Sequence, residues 1–300
     1  MKHSLLFKSL LCLTAICQLC GTLPLLAQRE SAQATYKDIG YSTNSGSCQM
    51  DIYLPHEYAT TGNGRGNAAT PYPVIVAISN NGSNESSNIS QMLQALQYGY
   101  AVAAISYRDT LPSSAQDILS AVKWIKENGK RYKLHPDKIA LWGNSHGGYL
   151  AAVAGCAGTY LQGFNTEMQF YGSDQMARAQ SNEQQLQKYA TEFGAGSSGN
   201  QTKVQAVIDL YGFFSEKSSA ITPNLFITPQ SPPFFLMYGE DDKLIPYTQA
   251  NAFASELKSA IGNNFVEYLL LPNQGHGGGL FESPQFSRQI FVFLNKVLFN

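Results

Sequence analysis

Charge is scarce in this chain. Lys and Arg number 20 and Asp and Glu 21 among 300 residues, so only 14% of positions are charged and the formal net charge is −1. That balance leaves no basic footprint for nucleic acid and no acidic tail. Histidine is scarcer still, with five in all, and beyond the first 27 residues only His56, His135, His146 and His276 occur. Cysteine is as thin: once Cys12, Cys17 and Cys20 are set aside, only Cys48 and Cys156 are left. Two cysteines permit one disulfide at most, and sequence alone does not bring their Cα atoms within bridging range. Both are read as structural, Cys156 as a buried thiol. There is no internal repeat and no apolar run of the ~20 residues that a membrane span needs. With charge so sparse, the surface must rely on Ser, Asn, Gln and Tyr, while 44% apolar content is ample for a large core.

The N-terminus has its own layout. Lys2 and Lys8 give a basic start, Leu10–Cys20 an apolar middle and Leu25-Leu26-Ala27 a small-residue end. A secretory signal peptide over residues 1–27 is expected, with a mature start at Gln28 and a periplasmic or extracellular destination. No stable membrane insertion is expected after cleavage. Residues 28–300 then form a single domain.

Within that domain, apolar runs alternate with helical periodicity. Strands are expected at Tyr36–Tyr41, Gln49–Leu54, Pro73–Ile78, Ala101–Ser106, the run around Ile139–Trp142, Val204–Asp209, Phe234–Tyr238 and Val266–Leu271. Pro73-Val74-Ile75-Val76-Ala77-Ile78 lacks alternation, which suits a strand buried on both faces. Ile89, Met92, Leu93 and Leu96 fall at the spacing of an amphipathic helix. Ala115, Ile118, Leu119, Val122 and Ile125 mark another, with Ser114 and Asp117 as a capping box and Gly129 as its stop. Phe253, Leu257 and Ile261 mark a third, and Phe286, Ile290, Phe293, Leu294 and Val297 a closing one. Strands alternating with helices imply a mostly parallel sheet of about eight strands, covered by helices on both faces. One stretch, 159–203, is long, polar and Gln-rich, and is expected to form a cap insertion.

The chemistry centres on Gly143-Asn144-Ser145-His146-Gly147, which follows an apolar strand and precedes a small-residue helix. A Gly-x-Ser-x-Gly in that context is a nucleophile elbow, a sharp turn that presents the serine hydroxyl to substrate. Glycines flank the turn because a Cβ there would meet neighbouring backbone. A serine hydroxyl needs a base to take its proton and a third group to orient that base. His56 and His135 stand in turn contexts beside Pro55 and Pro136, as surface histidines. His146 adjoins Ser145 and points away from it, so that its backbone N–H is the useful group. His276, in the loop Asn273–Gly279 with four glycines, is the expected base. For the acid, Glu240, Asp241 and Asp242 compete after the preceding strand, with Asp209 as an outside candidate; all four satisfy the order serine, acid, histidine.

These residues together resemble the α/β-hydrolase fold of the esterase and lipase type. The likeness is to its secreted bacterial branch of acetyl esterases and feruloyl-esterase-like carbohydrate esterases. It runs from about Lys37 onward and includes Met50–Pro55, Gly99–Arg108, His135–Ile139, the elbow, Val207–Gly212 and Ser231–Phe234. The resemblance implies Asp242 as the acid, four residues before Pro246, and His276 as the base. Where the family carries His-Gly-Gly-Gly after its third strand, this chain has Ser79-Asn80-Asn81-Gly82. Asn80 and Asn81, with the N–H of His146, are therefore the expected oxyanion donors. The resemblance implies a serine carboxylester hydrolase without cofactor or metal, acting on small-molecule or polysaccharide esters with short-chain or aromatic acyl groups. Two alternatives are a peptidase of the prolyl-oligopeptidase type, disfavoured by the few residues before Lys37, and a non-catalytic hydrolase-fold binding protein.

Overall fold

The computed structural model describes residues 32–43, 48–55, 71–80, 82, 89–111, 113–158, 201–213 and 222–299. The expected signal peptide, His56, Asn81 and residues 159–200 of the expected cap lie outside the described residues. The chain divides into Met1–Gln33 and Ala34–Asn300, and every element below belongs to the second unit.

Eight strands form one sheet: β1 (Tyr36–Gly40), β2 (Gln49–Tyr53), β3 (Tyr72–Ile78), β4 (Ala101–Ile105), β5 (Leu134–Asn144), β6 (Ala206–Leu210), β7 (Phe234–Gly239) and β8 (Val266–Leu271). Their order across the sheet is β1-β2-β4-β3-β5-β6-β7-β8. β2 runs antiparallel to both β1 and β4, and every other pairing is parallel. The central strands are closed to solvent on both faces. Val74 to Ile78, Ala101 to Ile105 and Phe234 to Tyr238 are all fully buried, which is why their sequences run apolar without alternation. Each fully buried Val, Ile or Phe contributes about 1.5–3 kcal/mol of burial free energy.

Four α-helices are described: α1 (Ser113–Asn128), α2 (His146–Ala157), α3 (Tyr247–Ile261) and α4 (Pro284–Phe299). α2 is apolar around most of its circumference, with Tyr149 to Ala154 all buried, as befits a helix enclosed by its neighbours. Gly262, at φ +94°, ends α3.

Two local expectations are corrected. The segment read as an amphipathic α-helix from Ile89 is a 3₁₀ helix over Met92–Tyr98, ended by Gly99 in the left-handed conformation. The buried apolar residues of the segment, Ile89, Met92 and Ala95, recur every three positions, which is the period of a 3₁₀ turn. The expected capping box of α1 does not form. Ser114 lies inside the helix with its hydroxyl buried and unbonded. Asp117 instead accepts from the backbone N–H, Nε and Nη2 of Arg108, at 3.0, 2.8 and 2.7 Å. A bidentate guanidinium is a stronger partner for a buried carboxylate than a helix-end amide.

Because β4 and β5 lie on opposite sides of β3, the chain reverses its direction of travel there. Such a switch point opens a crevice beyond the carboxyl ends of the strands. Ser145 follows β5 directly, and Asn80 and Gly82 follow β3.

Candidate active site

β5 delivers the elbow. Gly143 and Asn144 pair with Asp209 and Leu210 of β6, and Ser145 then turns the chain at φ +52°, ψ −121°. A non-glycine residue in such a conformation costs on the order of 1–3 kcal/mol and persists only when its surroundings hold it. The Ser145 N–H donates to the Leu210 carbonyl at 2.9 Å, and its own carbonyl accepts from the Tyr149 N–H at 3.1 Å. The turn is also sterically closed. A Cβ on Gly143 would strike the carbonyl of Gly147, and one on Gly147 would strike the Ile78 carbonyl at the end of β3. These two positions need glycine for close approach rather than for positive φ.

His276 comes from the loop after β8, where Gly277, Gly278 and Gly279 all have positive φ. Ser145 Oγ lies 2.7 Å from His276 Nε2, and His276 Nδ1 lies 2.7 Å from Asp242 Oδ2. The histidine side chain is 18% exposed and that of Asp242 is 0% exposed. The other Asp242 oxygen, Oδ1, accepts from the N–H groups of Leu244 and Ile245 at 2.8 and 2.9 Å. Glu240 and Asp241 are exposed. Asp209 is fully buried and pairs elsewhere: Oδ2 accepts from the Tyr238 hydroxyl at 2.6 Å and Oδ1 from the Gly212 N–H at 2.9 Å. Burial pushes its pKa up to about 7, against the lowering effect of those two hydrogen bonds. Of the four acids, the structure brings Asp242 to His276.

Of the residues that follow β3, Ser79, Asn80 and Gly82 are described, and Ser79 and Gly82 are buried. Asn80 is exposed. Gly82 is pinned at both ends: its N–H donates to Asp109 Oδ1 at 2.8 Å, and its carbonyl accepts from the Tyr107 N–H at 2.6 Å. The Tyr107 hydroxyl donates to the carbonyl of Ser79. His146 is the first residue of α2, a position whose N–H has no partner within the helix. His135 sits at the opposite end of the 11-residue β5, its Nδ1 accepting from the Asp137 N–H at 3.1 Å. Burial and nearby Lys138 lower its pKa. Cys48 and Cys156 are free and buried, and burial raises both thiols. Among the described residues no group of three or more His, Cys, Asp or Glu is disposed to hold a metal ion, and no helix is long and apolar enough to cross a membrane.

Sequence reading missed the side chains that surround these groups. Tyr211, at φ +45°, sets its ring edge-on to His276 with centroids 5.0 Å apart, and Phe213 lies 5.8 Å from the same imidazole. Gln91 is buried and bonds Asn144, 53 residues away, and Phe281, 190 residues away. A polar residue beside a run of apolar ones is the only trace of that role in the sequence, and it does not identify the partners.

Comparisons with known proteins agree with this architecture. The BD-FAE family model matches residues 50–219, more than half of the chain. Esterase LipQ of Mycobacterium tuberculosis is 30% identical over 199 residues, covering 62% of this chain and 44% of that protein. The probable carboxylic ester hydrolase LipM of the same organism is 26% identical over 253 residues, covering 80% of this chain and 51% of its own length. The chain thus spans about half the length of these curated relatives. A solved truncated carbohydrate esterase from gut microbiota superimposes with a TM-score of 0.66 at 20% identity, over 90% of this chain and 99% of that one. The acetyl ester-xyloside bifunctional hydrolase of Caldicellulosiruptor lactoaceticus gives a TM-score of 0.59 at 15% identity, over 89% and 98% of the two chains. By the extent of its family match, the chain belongs to the BD-FAE family of α/β-hydrolase esterases.

Proposed function

We propose that this chain is an exported serine carboxylester hydrolase that works through an acyl-enzyme. The observation that carries the reading is the pair of 2.7 Å contacts linking Ser145 Oγ, His276 and Asp242. His276 Nε2 takes the proton of Ser145 as its Oγ attacks the ester carbonyl, and then gives that proton to the departing alcohol. Asp242 Oδ2 holds the Nδ1–H and stabilises the imidazolium that forms between the two transfers. The tetrahedral oxyanion takes the N–H of His146, aided by the positive end of α2. A second donor comes from Asn80 or Asn81. Water, deprotonated by His276, then attacks the acyl group and frees Ser145.

The substrate class follows from the relatives rather than from the chemistry of the triad. Solved neighbours are named carbohydrate esterase and acetyl ester-xyloside bifunctional hydrolase, which supports short-chain acyl esters of carbohydrates; aromatic acyl groups and a polysaccharide carrier rest on the sequence resemblance alone. The N-terminal pattern of Lys2, Lys8, Leu10–Cys20 and Ala27 supports export.

Ser145→Ala tests the mechanism. Turnover of p-nitrophenyl acetate should fall by roughly 10⁶-fold, and labelling by a fluorophosphonate should vanish. Turnover near that of the parent would overturn the reading. Absent labelling of the folded parent would favour a binding protein. Comparing acetyl, butyryl and octanoyl esters with methyl ferulate, acetylated xylan and a prolyl anilide ranks the substrates.

A further inference from the structure

The elbow and the histidine loop are joined by a buried chain of side-chain amides that does no chemistry itself. Trp142 Nε1 donates to Asn144 Oδ1 at 3.1 Å. Asn144 Nδ2 donates to Gln91 Oε1 at 3.0 Å, and Gln91 Nε2 donates to the Phe281 carbonyl at 2.7 Å. Asn144 and Gln91 are 9% and 7% exposed. The two ends fix the polarity of everything between. An indole N–H can only donate and a backbone carbonyl can only accept, so each amide has one allowed orientation.

The chain passes through Asn144, the neighbour of Ser145, and ends at Phe281, five residues from His276. A second connection runs parallel to it. Tyr211 follows Leu210, the residue that pairs with Asn144 across β5 and β6. Its ring packs edge-on against both His276 and Phe281, with centroids 5.0 and 4.8 Å apart. The loop that carries His276 needs such anchors. Three successive glycines at positive φ offer no side chains of their own to hold it. Besides the bond from His276 to Asp242, Gln274 ties the loop to itself: its Oε1 accepts from the Leu280 N–H at 3.0 Å and its Nε2 donates to the Asn273 carbonyl at 2.9 Å.

We infer that Gln91 is a positioning residue, setting the separation of Ser145 and His276 by tying Asn144 to Phe281. This rests on the reading of Ser145 and His276 as the catalytic pair. Gln91 touches neither of them and acts through the segments that present them. A misplacement of about 1 Å at such a pair can cost on the order of 10²-fold in rate without altering substrate binding.

Gln91→Met keeps the volume and removes both bonds. Gln91→Glu keeps the acceptor but turns an oxygen toward the Phe281 carbonyl. Each should lower kcat on p-nitrophenyl acetate by about 10- to 100-fold with KM within about twofold. The rate of fluorophosphonate labelling at Ser145 should fall in proportion. Tyr211→Leu, which removes the ring beside His276 and Phe281 and leaves Gln91 in place, should give a loss that is not additive with Gln91→Met. Folded Gln91→Met or Gln91→Glu with parental kcat and labelling rate would overturn the inference. So would a loss confined to KM. If Gln91→Met does not fold, Gln91→Glu and the Tyr211→Leu double variant built on it carry the same decision. Labelling of Ser145 in the parent separates the two levels: a labelled parent with unaffected Gln91 variants defeats the positioning role alone. An unlabelled folded parent defeats the catalytic reading beneath it.

Discussion

Asp209 and Asp242 are two buried carboxylates on adjacent strand ends, and they meet opposite company. Asp242, just beyond β7, accepts from two backbone amides and one imidazole. Asp209, within β6, accepts from one amide and one phenol. Burial class does not separate them, nor does residue type. The partner does: an imidazole carries a proton to and from a reacting group, while a phenol with its pKa far above the usual range only donates. Tyr238 itself lies in the strand that leads to Asp242, so the Asp209–Tyr238 bond fastens β6 to β7 beneath the site.

The largest effect that should distinguish the two is on turnover. Asp242→Asn is expected to lower kcat by about 10⁴-fold by presenting the wrong tautomer to His276. Asp209→Asn leaves that imidazole untouched and should keep turnover within about tenfold. If steady-state kinetics showed the reverse, the two roles would have to be exchanged.

The next effect belongs to Asp209 alone and concerns stability. Its folded pKa, pushed by burial up to about 7, stands above the ordinary aspartate value of 3.8. Between about pH 4 and pH 7 the folded chain therefore keeps a proton that the unfolded chain has released. The stabilisation is complete below pH 4 and is lost as the pH rises through 7. Asp209→Asn removes that titration, so its stability relative to the parent should improve from pH 4 to pH 8 by a few kcal/mol, an order-of-magnitude figure. Urea midpoints across that range measure it, and a pH-independent difference would show that Asp209 titrates normally.

The smallest effect is that of Tyr238→Phe. Removing one donor to a buried carboxyl should cost about 1–3 kcal/mol of stability. Turnover should stay within about twofold, because neither Ser145 nor His276 loses a contact. A large loss of kcat with an unchanged melting temperature would mean that Asp209 communicates with the chemistry after all.

Much of the frame was legible because its signals are local. The unbroken apolar runs of β3 and β4 mark doubly covered strands. Gly143 and Gly147 are spaced as a turn that admits no Cβ between β3 and α2. Expectations failed where a competing partner was distant or the period was ambiguous. Asp117 reads as a cap for its own helix until Arg108, three residues beyond β4, takes it. Ile89, Met92, Leu93 and Leu96 fit a 3.6-residue period, yet burial follows the positions three apart. The residues alone left Glu240, Asp241, Asp242 and Asp209 open, because choosing among them requires knowing where His276 comes to rest. Gln91 was illegible for the same reason: both its partners lie far along the chain.

Ser145 and His276 are 131 residues apart in sequence, and that separation has a consequence for a chain emerging from the ribosome. At synthesis rates of roughly 5–20 residues per second, the serine precedes the histidine by about 7–26 seconds. The tie from Gln91 to Phe281, 190 residues long, closes later still. Through that interval the strained elbow lacks the contact between Ser145 Oγ and His276 Nε2. With Ser145 and His276 as the catalytic pair, a truncated translation product ending before His276 is expected to be chemically silent.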